Sequence, residues 1–276
     1  MARRRLDAEL VRRGLARSRE QARELVESGR VRVRGSAATK AATHVDEADA
    51  LLVVEADDAG HYVSRGAHKL AGALDRFAGI EVSGRSCLDA GASTGGFTQV
   101  LLERGAARVL AVDVGYGQLA WPVRTDPRVT VLERTNVRGL TLVQVPFRPD
   151  LLVADLSFIP LGLVIPALSM VAEDECDLVL MVKPQFEVGR ADAGHGVVRD
   201  AGLRASAVRG VAGAARAAGL GVRDVVASAL PGPSGNVEYF LWLARPEGRM
   251  GPAGTGFLAD AALDTEIDRA VREGPQ

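Results

Sequence analysis

Between residues 86 and 243 seven short apolar runs recur, at 86–89, 109–112, 129–132, 151–154, 178–182, 222–228 and 239–243, and helix-like segments separate the first six. That rhythm constrains the chain more than anything else in it. A strand that is apolar throughout needs cover on both faces, and helical crossovers join parallel strands, so the alternation predicts a parallel sheet wrapped by helices. The last run follows a loop containing Gly and Pro, with no helix before it. It is therefore expected to enter the sheet antiparallel, through a hairpin. An α/β domain of this type occupies most of the chain.

Upstream the pattern differs. Residues 6–14 and 18–28 read as two short amphipathic helices, the second opened by Ser18 with Gln21 three residues on and closed by Gly29. Strand-like stretches follow at 30–33, turned by Arg34-Gly35, and at 51–54. Charge separates this end from the rest, since residues 1–35 hold 11 Arg against 5 acidic residues in a chain of net charge −1. Arg19 and Arg23 are four apart on the second helix, Arg12 and Arg13 close the first, and Arg30, Arg32 and Arg34 alternate along the strand. Such guanidinium clusters suit phosphates, although a merely solvated surface has the same composition.

The other compositional signals exclude classes. No apolar segment follows the basic start as a signal peptide requires, and the uncharged stretch 157–172 is interrupted by Pro160 and Pro166, reading as a buried loop and helix rather than a membrane span. Cys87 and Cys176 lack a CxxC spacing and read as buried thiols, in keeping with a reducing cytoplasm. Four histidines and two separated cysteines offer no metal-ligand pattern.

After the first strand of the large domain comes Asp89-Ala90-Gly91-Ala92-Ser93-Thr94-Gly95-Gly96-Phe97. Glycines in a strand-to-helix turn let backbone N–H groups approach a ligand at the carboxyl edge of the sheet, where open α/β sheets bind theirs. Asp113, at the end of the second strand, is placed to accept ribose hydroxyls, and Asn136, past the third, to reach an adenine. A nucleoside cofactor is implied, with NAD using similar geometry. The turn is not GxGxxG, and Asp89 directly before it fits a methionine amine better than a pyrophosphate, which favours S-adenosylmethionine. A rival is the GxSxG nucleophile elbow with Ser93, Asp155 and His195, but that elbow follows several earlier strands and this one follows the first.

Lysine is rare here. Of 34 basic residues only Lys40, Lys69 and Lys183 are lysine. Lys69 opens the helix expected over 67–78, Lys183 ends the fifth strand, Asp155 ends the fourth and Glu238 opens the last, so all four can converge on the crevice at the sheet edge. Each could equally be a structural ion pair. Attack by a ribose hydroxyl needs its proton removed, and a lysine with lowered pKa can assist where an arginine cannot.

These residues carry resemblances. Arg5-Leu6-Asp7, Gly14-Leu15, Ser18-Arg19, Ala22, Leu25-Val26 and Gly29 to Gly35 resemble the small S4-type RNA-binding domain, over residues 4 to about 55. The K-D-K-E order of Lys69, Asp155, Lys183 and Glu238 is that of the FtsJ-like ribose 2′-O-methyltransferases. With Tyr62 to Gly66, Gly91 to Thr98, Val112 to Leu119, Val182 to Glu187 and Gly196 to Asp200, the chain resembles the TlyA family of two-domain ribosomal RNA methyltransferases.

The resemblance implies a Rossmann-like seven-stranded S-adenosylmethionine-dependent methyltransferase domain with a small N-terminal α+β S4-type domain. It implies ribosomal RNA or ribosomal subunits as partner and the 2′-hydroxyl of cytidine as substrate, with Lys183 central, Asp155 orienting it, and Lys69 and Glu238 positioning the ribose. The cofactor would be held by Asp89, Gly91, Ser93, Thr94, Gly95, Gly96, Phe97, Asp113, Val114, Asn136 and Asp155, and the RNA by Arg4, Arg5, Arg12, Arg13, Arg19, Arg23, Arg30, Arg32 and Arg65. The expected boundaries are 1–56 for the RNA-binding domain, 57–65 for a linker, 66–245 for the methyltransferase domain and 246–276 for a tail with a short helix from Leu258. Ala67-His68 departs from the Gly-Leu expected before Lys69, and His68 is expected at the surface. Some family members carry a haemolysin label, which makes a membrane-active protein one alternative. An RNA-binding protein with a non-catalytic methyltransferase-like domain is another.

Overall fold

The computed structural model describes residues 4–16, 18–27, 30–34, 36–46, 49–53, 61–189, 196–232, 234–246 and 256–275. The expected cap Gly29, the turn residue Gly35, the linker segment 57–60 and His195 lie outside the described residues. The chain divides into two compact units, Met1–His61 and Tyr62–Gln276.

In the first unit, β1 (Arg4–Arg5) runs into α1 (Leu6–Arg12), and α2 (Arg19–Glu27) follows. Then come β2 (Val31–Val33), β3 (Ser36–Ala37), β4 (His44–Val45) and β5 (Leu51–Val53). Ser18 caps α2 as expected, its Oγ accepting the Gln21 N–H at 3.1 Å. β2 pairs antiparallel with β3 and with β5, and β1 pairs with β4. Leu6, Leu10, Ala22, Leu25, Val26 and Val31 make a small separate core between helices and strands.

The second unit is a three-layer α/β domain. Its elements are α3 (Arg65–Arg76), β6 (Ser86–Ala90), α4 (Gly96–Glu103), β7 (Arg108–Val112), α5 (Trp121–Arg124), β8 (Val129–Leu132), β9 (Leu151–Ala154), α6 (Ile165–Val171), β10 (Asp177–Val182), α7 (Pro184–Glu187), α8 (Ala201–Ala217), β11 (Gly221–Ala227), β12 (Tyr239–Ala244) and α9 (Asp260–Glu273). The sheet has seven strands in the order β11-β12-β10-β9-β6-β7-β8. Only β12 is antiparallel to its neighbours, and it slots between β11 and β10.

Side chains alternate by the two-residue period of a strand into two cores. Leu88, Ala90, Leu110, Leu152 and Leu180 face α6, α8 and α9, while Cys87, Val109, Leu151, Val153 and Val179 face α3 and α4. Both faces are covered, which is why the strands read as nearly continuous apolar runs. Each fully buried leucine contributes roughly 1.5–3 kcal/mol by leaving water.

Three expectations are corrected. Residues 260–273 form a four-turn helix, α9, rather than a short one in a tail, and Leu263, Ile267, Ala270 and Val271 bury its inner face in the core. Residues 62–65, expected as linker, belong to the second unit, and Arg65 is the first residue of α3. The 157–172 stretch forms a helix at α6, but its loop is not wholly buried, because Phe158 is 90% exposed with a φ of 64°.

Candidate active site

The parallel strands end, and β12 begins, at one edge of the sheet. There Asp89, the turn after β6, Asp113, Asp155, Lys183 and Glu238 gather. Gly91 is obligatory in that turn: its φ is +86°, and a Cβ on it would lie 2.5 Å from the Asp155 carbonyl oxygen. Gly95 also takes a positive φ, 96°, as the residue preceding α4, and a side chain on Gly96 would collide with Ser64 Oγ. Ser93 is held at φ 47°, its N–H donating to Asp113 Oδ2 at 2.8 Å, while Gly115 N–H donates to Oδ1 at 2.7 Å. The Asp113 carboxylate is thus aimed at the turn by two backbone donors. Beside it lies a small depression lined by Ala92, Ser93, Gly115, Gln118, Leu119 and Glu133.

Asp89 is fully buried. One of its oxygens accepts the Thr98 hydroxyl at 2.6 Å, and the other, Oδ1, is enclosed with no partner among the described residues. Burial, with Asp155 and Asp113 nearby, pushes its carboxyl up to about 7. A buried acceptor without a donor is costly unless something answers it.

The four residues of the K-D-K-E order form two ion pairs. Lys183 Nζ lies 2.5 Å from Asp155 Oδ1 and donates to Ser157 Oγ at 3.0 Å. Lys69 Nζ lies 2.6 Å from Glu238 Oε2, with both side chains below 10% exposed. Register brings the pairs together. Val182 of β10 sits opposite Tyr239 of β12, so Lys183 and Glu238 are the next residues along at the same edge. Glu238 is held by its surroundings as well. Asn236, 2% exposed, accepts the Val198 N–H at 2.9 Å and donates to the Gly196 carbonyl at 2.7 Å, which fixes the approach to β12.

Other expected contacts are placed differently. The Phe97 side chain is core, packed toward Phe240 with ring centroids 6.2 Å apart, so only its backbone belongs to the turn. Thr94 and Val114 are exposed on the loops around the site. Asn136 is exposed, and its side-chain oxygen caps the turn that follows it, accepting the Arg138 N–H at 3.0 Å. His68 is half-buried rather than at the surface, edge-on to Tyr62 at 4.9 Å. Arg65 is exposed, with Nη2 3.5 Å from the Pro231 carbonyl.

Two groups were not singled out from the sequence. Ser157 bonds Lys183, and Phe158 next to it stands in solvent with its ring 5.0 Å from Phe186. The only sequence signal for either was position, just past Asp155. A larger cavity of about 540 Å³ lies between α7 and α8, lined by Leu163, Glu187, Leu203 and Val211 among others, and includes none of the four paired residues. Glu187, pushed up to about 7 by burial, accepts the Leu161 N–H at 2.9 Å and anchors the loop that carries Ser157 and Phe158.

The FtsJ-like methyltransferase model matches residues 62–245, and the S4 domain model matches residues 4–51. A 16S/23S rRNA (cytidine-2′-O)-methyltransferase TlyA of Mycobacterium tuberculosis is 58% identical, with all of both chains covered. The chain belongs to the TlyA family of FtsJ-like methyltransferases. Hemolysin A of Brachyspira hyodysenteriae is 35% identical over 85% of this chain and 97% of its own. A solved Streptococcus thermophilus structure, described as a hemolysin, superposes with a TM-score of 0.72 at 34% identity, covering 99% of this chain and 97% of that one. Membership in the family removes the hydrolase reading of Ser93, whose would-be partner Asp155 is committed to Lys183. Among the described residues no helix is long and apolar enough to cross a membrane.

In the first unit the structure sorts the arginines of this TlyA-family chain. Arg5, Arg19 and Arg23 surround Asp7, and Arg4, Arg12 and Arg13 surround Glu9. Arg13 is largely structural, because it also donates to the carbonyls of Asp49 at 2.8 Å and Asp46 at 3.3 Å. Arg32 is exposed on β2 and Arg30 half-buried just before it. Arg34, at φ 52° past the strand, donates to Asp49 Oδ1 at 2.6 Å.

Proposed function

We propose that the chain transfers a methyl group from S-adenosylmethionine to the ribose 2′-hydroxyl of a cytidine in ribosomal RNA, with the first unit holding the RNA. The observation that carries this reading is the Lys183–Asp155 pair standing at the sheet edge beside the glycine turn, with Glu238 of the Lys69–Glu238 pair reaching the same edge just before the neighbouring strand β12. It is supported by the family, by the activity of the M. tuberculosis relative named above, and by the S4 match. The domain division follows the units, with residues 260–273 counted in the methyltransferase domain.

The residues present fit the cofactor. Gly91, Gly95 and Gly96 keep the turn open to close backbone approach, Asp113 presents a carboxylate to the ribose, and the unanswered Oδ1 of Asp89 suits the methionine ammonium, directly or through a water. When bound, the cofactor supplies a methyl carbon made electrophilic by a sulfonium. Lys183 does the rest of the chemistry with its neighbours. With Asp155 it would hold the 2′-hydroxyl proton as that oxygen becomes nucleophilic, the Asp155 carboxylate stabilising the ammonium that carries it. The buried pair of Lys69 and Glu238 orients the ribose. The exposed ring of Phe158 offers a face on which an unstacked base can lie.

The direct test is tritiated methyl transfer from S-adenosylmethionine onto separated ribosomal subunits, followed by mapping of 2′-O-methylated positions. Label on ribose oxygens of cytidines is the expected result. Label confined to bases or to protein would reject the mechanism.

Asp89 makes cofactor affinity depend on pH. Its folded pKa is raised, so the carboxylate that binds a cation is present above about 7 and is lost as the pH falls through that value. Titration calorimetry should show S-adenosylmethionine binding weakening by up to about tenfold per unit between roughly pH 7 and pH 5.5. Asp89→Asn should bind weakly and flatten the profile. A parent affinity indifferent to pH over that range would remove Asp89 from the site.

A further inference from the structure

The N-terminal unit contains a device that the arginine count does not reveal. Asp7 has a fully buried side chain, yet it is ringed by cations. Arg5 donates to both its oxygens, through Nε at 3.1 Å and Nη2 at 2.9 Å. Arg19 Nη2 reaches the same two oxygens at 3.3 and 3.1 Å from a different helix, Arg23 Nε stands 3.8 Å away one turn further on, and the Ala8 N–H donates at 2.8 Å. Arg5 and Arg19 hold the Asp7 carboxyl at about 2 against its burial. The three arginine side chains remain 41, 55 and 57% exposed.

We propose that Asp7 is the positioning residue of a phosphodiester-binding site in which Arg5, Arg19 and Arg23 present their outer guanidinium edges to one stretch of RNA backbone. This rests on the reading of the first unit as the RNA-holding one. Three guanidiniums within 4 Å of a common point repel one another unless a counter-charge sits among them. Asp7 supplies that charge from inside the fold, and three cations against one anion leave an excess of two positive charges facing outward. A guanidinium is a planar fork, so one edge can be spent on the carboxylate while the other stays available for a phosphate. Long side chains normally lose rotamer freedom on binding. Here the freedom has already been lost in folding, against a buried partner, so binding costs less. The clamp also joins the start of α1 to α2, and the phosphate would be gripped from both elements at once.

Removing the carboxylate separates this idea from simple electrostatics, because the two predict opposite signs. Asp7→Asn makes the unit more positive by one charge, and a surface acting by net charge alone would bind RNA as tightly or more tightly. If Asp7 positions the guanidiniums, Asp7→Asn binds about tenfold more weakly, and its affinity depends on salt with a slope about one unit shallower. The assay is filter binding of the full chain to deproteinised 16S and 23S rRNA over a salt series, with circular dichroism melting to confirm folding. Affinity equal to or above the parent's in a folded Asp7→Asn variant overturns the proposal.

Should Asp7→Asn fail to fold, Arg19→Lys decides, since it keeps the charge and the helix but replaces the fork by a point charge. A severalfold loss supports the clamp, and parent-like binding overturns it. Arg19→Ala with Arg23→Ala tests the underlying reading separately. If that double variant binds rRNA with unchanged affinity and slope, the first unit is not the RNA-holding one. If it weakens while Asp7→Asn does not, only the clamp is wrong.

Discussion

Lys183→Ala is expected to lower methyl transfer by about 10³-fold or more while leaving S-adenosylmethionine affinity near that of the parent. The side chain pairs with Asp155 and bonds Ser157, and among the described residues no hydrogen bond or ion pair joins it to the glycine turn, so its loss is expected to remove a proton acceptor and spare the turn. Lys183→Arg sharpens the test. Arginine keeps the positive charge beside Asp155 but does not give up its proton near neutral pH. If Lys183 acts only as a cation, the arginine variant recovers much of the rate. If it acts as the base, the arginine variant is as inactive as alanine. Single-turnover transfer of tritiated methyl, with calorimetry for the cofactor, measures both quantities, and retained turnover in either variant would refute the assigned base.

The Lys69–Glu238 pair should show the second largest effect, this time on stability as well as rate. Both groups are withdrawn from water and lie 2.6 Å apart, so deleting one leaves the other buried without a counter-charge. Lys69→Ala or Glu238→Ala should cost about 3–5 kcal/mol. In a unit of this size that corresponds to a fall in melting temperature of roughly 10 °C. A paired replacement, Lys69→Met with Glu238→Leu, removes both charges and refills the space, and should recover most of the stability. Rate distinguishes a positioning pair from a structural one. The double apolar variant should stay far slower than the parent although folded. A folded double variant with parent turnover would show that the pair only holds α3 to β12.

The sheet was legible because its physics is local. A strand covered on both faces must be apolar along its length, and β6, β7, β9 and β10 advertise this in 86–182. The cofactor turn was legible for a similar reason: Gly91 and Gly95 adopt positive φ that few other residues tolerate. Helix α9 was within reach and was undervalued. Leu263, Ile267, Ala270 and Val271 have helical spacing, but the Gly- and Pro-containing segment before them suggested a tail. The side-chain commitments of Phe97 and Asn136 were not legible, for the opposite reason. Their positions beside the turn and past the third strand fitted ligand contacts, but one side chain was needed by the core and the other by its own turn.

Sequence by itself determined which chemistry was available: three lysines among 34 basic residues, two of them in the large domain, two carboxylates at strand ends, a glycine turn and a basic N-terminus. Tertiary structure alone decided how those groups pair. Because β12 runs antiparallel between β10 and β11, its first residues arrive at the edge where the parallel strands end, and Glu238 comes to lie beside Lys183 while bonding Lys69. The same holds for the basic end. Counting charges finds the arginines, but only folding buries Asp7 beneath three of them, since burial is set by what packs around a residue and not by its neighbours in the chain.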